Sequence, residues 1–176
     1  MRIYQKKRSG FTLIELIVTT AVIAFLATFV LADYRTAGQR TALRLETQKF
    51  IGDVRRVENM ALGSLDFNGV TPVGGWGIYL ADTHTYYIFV DNDAAGTPGH
   101  GSYTAGDLIA ETVLLSEKIL FSAGIGASVV FVPPDPLVYL NGVGSGTLTI
   151  TLQQADDVAV TRDVLINSFG LVDASS

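Results

Sequence analysis

The segment KKRSGFTLIELIVTTAVIAFLATFVLA, residues 6–32, limits what this chain can become more than any other feature. From Phe11 to Ala32 it is an almost unbroken apolar run of 22 residues, and about 20 suffice for an α-helix to cross a hydrocarbon core of ~30 Å. Threonines at 12, 19 and 20 can return their hydroxyls to carbonyls of the preceding turn. Glu15 has no such remedy, and an ionised carboxylate there costs on the order of 3 kcal/mol on insertion scales. A charge kept at that cost marks a functional residue. Lys6, Lys7 and Arg8 stand just before the run, which holds the N-terminus on the cytoplasmic side. A secretory signal ends its apolar core in a small-residue cleavage site. Here the small residue, Gly10, precedes the core, so a cut between Gly10 and Phe11 removes the basic leader and keeps the helix, with a new α-amino group on Phe11.

Glu15 then has a physical use. Where helices of several copies pack together, its carboxylate can meet the Phe11 ammonium of a neighbour, and both charges are paired only in the correct stagger. The bland alternative is a carboxylate that snorkels at the interface of a plain signal anchor.

Beyond the apolar run the helix continues. Leu43, Phe50, Val54, Val57 and Ala61 recur at spacings of seven, four, three and four, one face of a helical repeat, while Arg44, Lys49, Arg55 and Arg56 lie mostly off it. The pattern predicts one helix over 12–62, with Gly63 as its C-cap. Gly38 is the weak point, and no proline before Pro72 forces a kink. From Gly75 onward short β-branched and aromatic runs alternate with glycine, proline and aspartate. WGIYL (76–80) and TYYIFVD (85–91) read as a hairpin, followed by strands at 111–116, 119–122, 128–132, 146–152, 159–167 and 170–174. The glycine-dense stretches 96–106 and 124–146 read as loops around the strand at 128–132. A long helix followed by antiparallel strands is an α+β fold, the head's sheet resting on the second half of the helix. The segments are a leader (1–10), a transmembrane helix (11–32), its amphipathic continuation (33–62) and a β-rich head (63–176).

Charge and cysteine usage exclude several functions. From Gly63 onward only Lys118 and Arg162 stand against twelve acids, so the head should repel nucleic acid and anionic surfaces. The chain has no cysteine, which removes disulfides, thiolate catalysis and cysteine zinc sites.

The segment KKRSG|FTLIELIV closely resembles the signal of type IV pilins and pseudopilins, whose prepilin peptidase cuts after the glycine and N-methylates the new first residue. The resemblance implies processing at Gly10 and Phe11 and an assembly role for Glu15. GWGIYL, YYIFVDNDAAG, GSYTAGD and the closing RDVLINSFGLVDA look like the GspH/FimT group of minor pseudopilins, which lay two antiparallel sheets on the long helix. Many major pilins carry a disulfide-bounded loop, and its absence here agrees with a minor subunit. The resemblance implies a structural subunit of a type II secretion pseudopilus, or alternatively a minor type IV pilin acting in pilus assembly or DNA uptake. It would be anchored in the inner membrane by one span, with its head outside the cytoplasm. Its partners would be prepilin peptidase, other pilins or pseudopilins, and the assembly platform with its ATPase. DNA-binding members use basic residues near the C-terminus, where this chain has Leu171 and Val172, so nucleic acid is not expected as a partner.

Other candidate sites are weaker. DNDAAG, residues 91–96, looks like the opening of a calcium loop through Asp91 and Asp93, but the third oxygen falls at Ala95 and would have to come from Asp107 or Glu111. The bland reading is a polar turn. His84 and His100 read as surface residues, with no nucleophile or acid beside them in a recognisable arrangement. The serines lie in no hydrolase motif. Trp76, Tyr79, Tyr86, Tyr87 and Tyr103 read as core on one strand face and cross-strand pairs on the other. Asp156 and Asp157 read as a solvated turn. No enzymatic activity is expected, and no cofactor other than the calcium candidate.

Overall fold

A computed structural model of the chain describes residues 10–69, 71–93, 96–97, 99–133 and 137–175, without the side chains of 29–37. It is α+β and pilin-like: among the described residues one helix, α1 (Leu13–Leu62), is followed by nine strands in two antiparallel sheets. Two compact units divide the chain at residues 39 and 40, and α1 contributes to each.

In the first unit the helix starts one residue later than the pattern predicts, because Thr12 caps it. The Glu15 N–H donates to Thr12 Oγ1 at 3.3 Å, so Thr12 takes up an orphan donor instead of bonding backwards. Thr19 and Thr20 do bond backwards, to the Glu15 and Leu16 carbonyls at 2.8 and 2.9 Å. Phe11, Leu13, Ile14, Leu16, Ile17 and Val18 all stay more than half exposed. A helix that is apolar all round requires a surrounding apolar medium or other helices. Among the described residues no helix is long and apolar enough to cross a membrane, and the expected span of 11–32 runs into side chains outside the description.

The second unit holds the core. Leu43, Phe50, Val54, Val57 and Ala61 are all buried, as their spacing predicts. Thr47 joins them, its hydroxyl satisfied by the Leu43 carbonyl at 2.8 Å. The helix ends in a Schellman arrangement, with Leu65 N–H on the Met60 carbonyl at 2.9 Å and Ser64 N–H on the Ala61 carbonyl at 2.8 Å. Gly63 is therefore the last helical partner, and Ser64, at φ 47°, takes the left-handed conformation expected of the glycine.

The first sheet runs β3 (Leu108–Leu114), β2 (Thr85–Asp91), β1 (Gly75–Leu80), β5 (Ser128–Val132) and β6 (Leu137–Leu140). The second runs β4 (Ile119–Ala123), β7 (Thr147–Gln154), β8 (Thr161–Asn167) and β9 (Val172–Ser175). The predicted hairpin forms, Tyr79 opposite Tyr87. β3 begins three residues before its predicted start, and β6 lies in a stretch expected to be loop; LVYL is short and bordered by prolines and Asn141-Gly142, so it carries little strand pattern of its own. Alternate residues of both sheets enter one core, among them Tyr86, Ile88, Val129 and Phe131 from the first and Phe121, Ile150, Leu152, Val164 and Ile166 from the second. Phe50 of α1 reaches both, with ring centroids 5.2 Å from Tyr86 and 5.5 Å from Phe121. Trp76 is also core. On the opposite face Tyr103 stacks on Tyr79 at 4.3 Å and meets Phe89 edge-on at 5.1 Å.

Candidate functional site

Gly10, Phe11 and Thr12 form a short non-helical lead into α1. Gly10 is exposed, Phe11 is 81% exposed, and a Cβ at Gly10 would meet nothing within 4 Å. Among the described residues nothing covers the backbone at the expected cut. Residues 1–9, the rest of the leader, lie outside the described residues. Glu15 falls in the first turn of α1, where the unpaired N–H groups of the helix favour negative charge. Thr12 and Glu15 have the spacing of a capping box, so Glu15 has a local stabilisation that its reading as a membrane charge overlooked.

Residues 5–31 match the family described as the prokaryotic N-terminal methylation motif. The match covers the N-terminal segment alone and supports a type IV pilin-like protein, the target of prepilin peptidase. No curated protein and no solved structure matches the chain. The matched residues thus take in the exposed Gly10 and Phe11 and the first turns of α1.

The head carries a second cluster. Asp91, Asp93 and Asp107 bring carboxylate oxygens within 4.8 Å of one another. Asp107 does fold back to complete the trio, whereas Glu111 turns away to Arg56 at 2.8 Å. Asp91 is fully buried, its two oxygens accepting N–H groups from Asp93 at 2.8 Å and Gly101 at 2.7 Å. Asp107 likewise accepts from Asn92 at 3.0 Å and Thr104 at 2.6 Å. Gly74 makes room for this, since a Cβ there would lie 2.3 Å from Asp91 Cγ. His100 is not the surface residue expected: its side chain is 7% exposed, with Nδ1 3.6 Å from Asp91 Oδ2 and its ring against Tyr139. Glycines at 99 and 101, both at positive φ, fold the loop back to place it there. His84 stays in the hairpin turn, its ring Nδ1 2.9 Å from Thr83 Oγ1.

Among the described residues the donors suit a hard cation in type but fall short of the six to eight oxygens that calcium takes, and those of Asp91 and Asp107 also serve backbone N–H groups. Burial pushes the Asp91 carboxyl above the usual carboxylate range; Asp107 adds to this, while the Gly101 and Asp93 N–H groups and His100 oppose it. A proton on Asp91 relieves the crowding directly. A raised folded-state value means that the group's contribution to stability is full below the ordinary carboxylate range and is lost as pH rises through the folded value. The head should therefore melt at higher temperature as pH falls from neutral toward that range, and Asp91→Asn should flatten the slope. Calcium should leave the melting temperature unchanged; a rise of several degrees would instead make the trio a cation site.

Two clefts lie along α1. One, of about 490 Å³, is lined by Gly52, Arg55, Arg56, Asn59, Met60, Gly63 and Leu65, and brings together no acid, histidine or serine. The other gathers Arg40, Arg44 and Arg162, a convergence with no local sequence signal.

Proposed function

We propose that this chain is a minor pseudopilin of the GspH/FimT type, a structural subunit of a type II secretion pseudopilus. The observation that carries the reading is a methylation motif, residues 5–31, that takes in the first turns of a helix whose second half lies in the core of a β-rich head. On this reading one apolar helix holds the precursor in the inner membrane with its head outside the cytoplasm. Prepilin peptidase frees the Phe11 amine, and an ATP-driven platform draws the subunit into a bundle of such helices. There the apolar residues exposed around the first turns of α1 find neighbours, and Glu15 of one copy meets the Phe11 ammonium of the next. No bond is made or broken by this chain.

The test is cross-linking in the native cell, isolation of the chain and identification of its co-purifying partners, with a Gly10→Val strain alongside. Secretion-pathway pseudopilins are expected with the wild-type chain. The variant should keep its leader and lose those partners. Recovery of pilins together with a retraction motor would move the chain to the alternative, a minor type IV pilin. Unaltered partners from uncleaved Gly10→Val would sink the filament reading itself.

A further inference from the structure

Three arginines distant in sequence line one cleft of the head. Arg40 and Arg44 stand one turn apart on α1, Arg162 opens β8 beside Val160 and Thr161, and the cleft encloses about 260 Å³ with the buried Leu43 in its lining. The approach to β8 is fixed, since Val160 N–H donates to the Asp157 carbonyl and Gln154 N–H to the Val160 carbonyl, each at 3.1 Å. Asp163, next to Arg162, is turned to Thr151, whose hydroxyl it accepts at 2.7 Å. Among the described residues the ion pairs use Arg56 and His100, and none of the three arginines takes part.

Each guanidinium carries five N–H donors in a planar fork, the geometry that grips phosphate oxygens in pairs. Three such forks, outside any ion pair among the described residues, form a local reversal of charge in a head otherwise dominated by acids. We propose that the cleft binds the phosphate of an anionic phospholipid headgroup and docks the head on the membrane. The proposal rests on the membrane-anchored reading above. Two observations favour a lipid. Arg40 comes only eight residues after Ala32, where the apolar run ends, and basic segments beside a span are drawn to anionic leaflets. A nucleic acid needs a track of cations along many phosphates, whereas this cleft of about 260 Å³ gathers three cations in a head otherwise dominated by acids.

The chain has no cysteine, so Ala159→Cys, exposed beside the cleft, gives a single labelling position. The full chain carrying a fluorophore there is placed in nanodiscs of phosphatidylcholine alone or with a third phosphatidylglycerol, each with a headgroup-borne quencher. Flotation first reports insertion. Strong quenching is expected only in the anionic discs. Arg162→Gln, far in sequence from the span, should lower the docked population about fivefold, and the variant lacking all three arginines should match neutral discs. Equal quenching in both discs, or indifference to the arginines, overturns the proposal while leaving the anchor intact. Failure to insert overturns the anchored reading and the proposal with it. Release of the docked head by inorganic phosphate at matched ionic strength would make this a soluble-phosphate site, and arginine-dependent release by duplex DNA a nucleic-acid site; either result also overturns it.

Discussion

Glu15→Gln is expected to be processed normally, to fold normally and yet to stay out of filaments. Glutamine serves as well as glutamate at the third position of a capping box, so the start of α1 at Thr12 is kept and only the charge is lost. If the Phe11 ammonium of a neighbour relies on that charge, the variant leaves it buried and unpaired, at a cost of about 3–5 kcal/mol per contact. That corresponds to a loss of more than a hundredfold in each association step. Glu15→Ala keeps the backbone N–H that Thr12 caps but loses the side chain that a capping box turns back to the Thr12 N–H, and should be no better. The informative comparison is between the two variants, read as filament yield from cells together with the helicity of the purified chains. Filaments from glutamine but not from alanine would show that Glu15 acts as a helix cap and not as a charged register device.

Phe50→Ala should cripple the head without touching the motif. The ring is fully buried and meets both Tyr86 and Phe121 edge-on, so its removal opens a cavity where α1 joins the two sheets. Truncations of this kind cost about 3–5 kcal/mol, a large share of the ~5–15 kcal/mol that holds a domain folded. The melting temperature should fall on the order of 10 °C. Leu45→Ala, on the same helix but 61% exposed, is the control and should change it little. A drop of similar size in both would mean that the packing of Phe50 between the sheets does not set the stability of the head.

The helix and its buried face were legible because burial on a helix obeys a fixed period, and Leu43, Phe50, Val54, Val57 and Ala61 keep it. Long strands were legible for the same reason at period two. The strand β6 was not, since four residues between turn signals show no period and form a strand only because β5 offers an edge to pair with. Gly10, Phe11 and Glu15 stood out because processing reads a linear peptide. The Thr12 cap was equally linear, but Thr12 also suits a backward bond to the preceding turn, and a lone spacing of three does not separate the two roles. The burial of His100 and the meeting of Arg40, Arg44 and Arg162 depend on chain segments brought together only by the fold.

The way α1 enters the head has a mechanical consequence. From Leu43 to Ala61 one face of the helix is buried, and Arg55 and Arg56 tie it sideways to the Val172 carbonyl and to Glu111. A pull applied along the helix axis from its N-terminal end therefore loads these contacts in shear, many at once, instead of peeling them off singly. With no cysteine in the chain, the whole tension is borne by packing and hydrogen bonds. A subunit hauled by its N-terminal helix would hold its head until that face slips as a unit, so the force limit of the subunit is set by Phe50 and its neighbours.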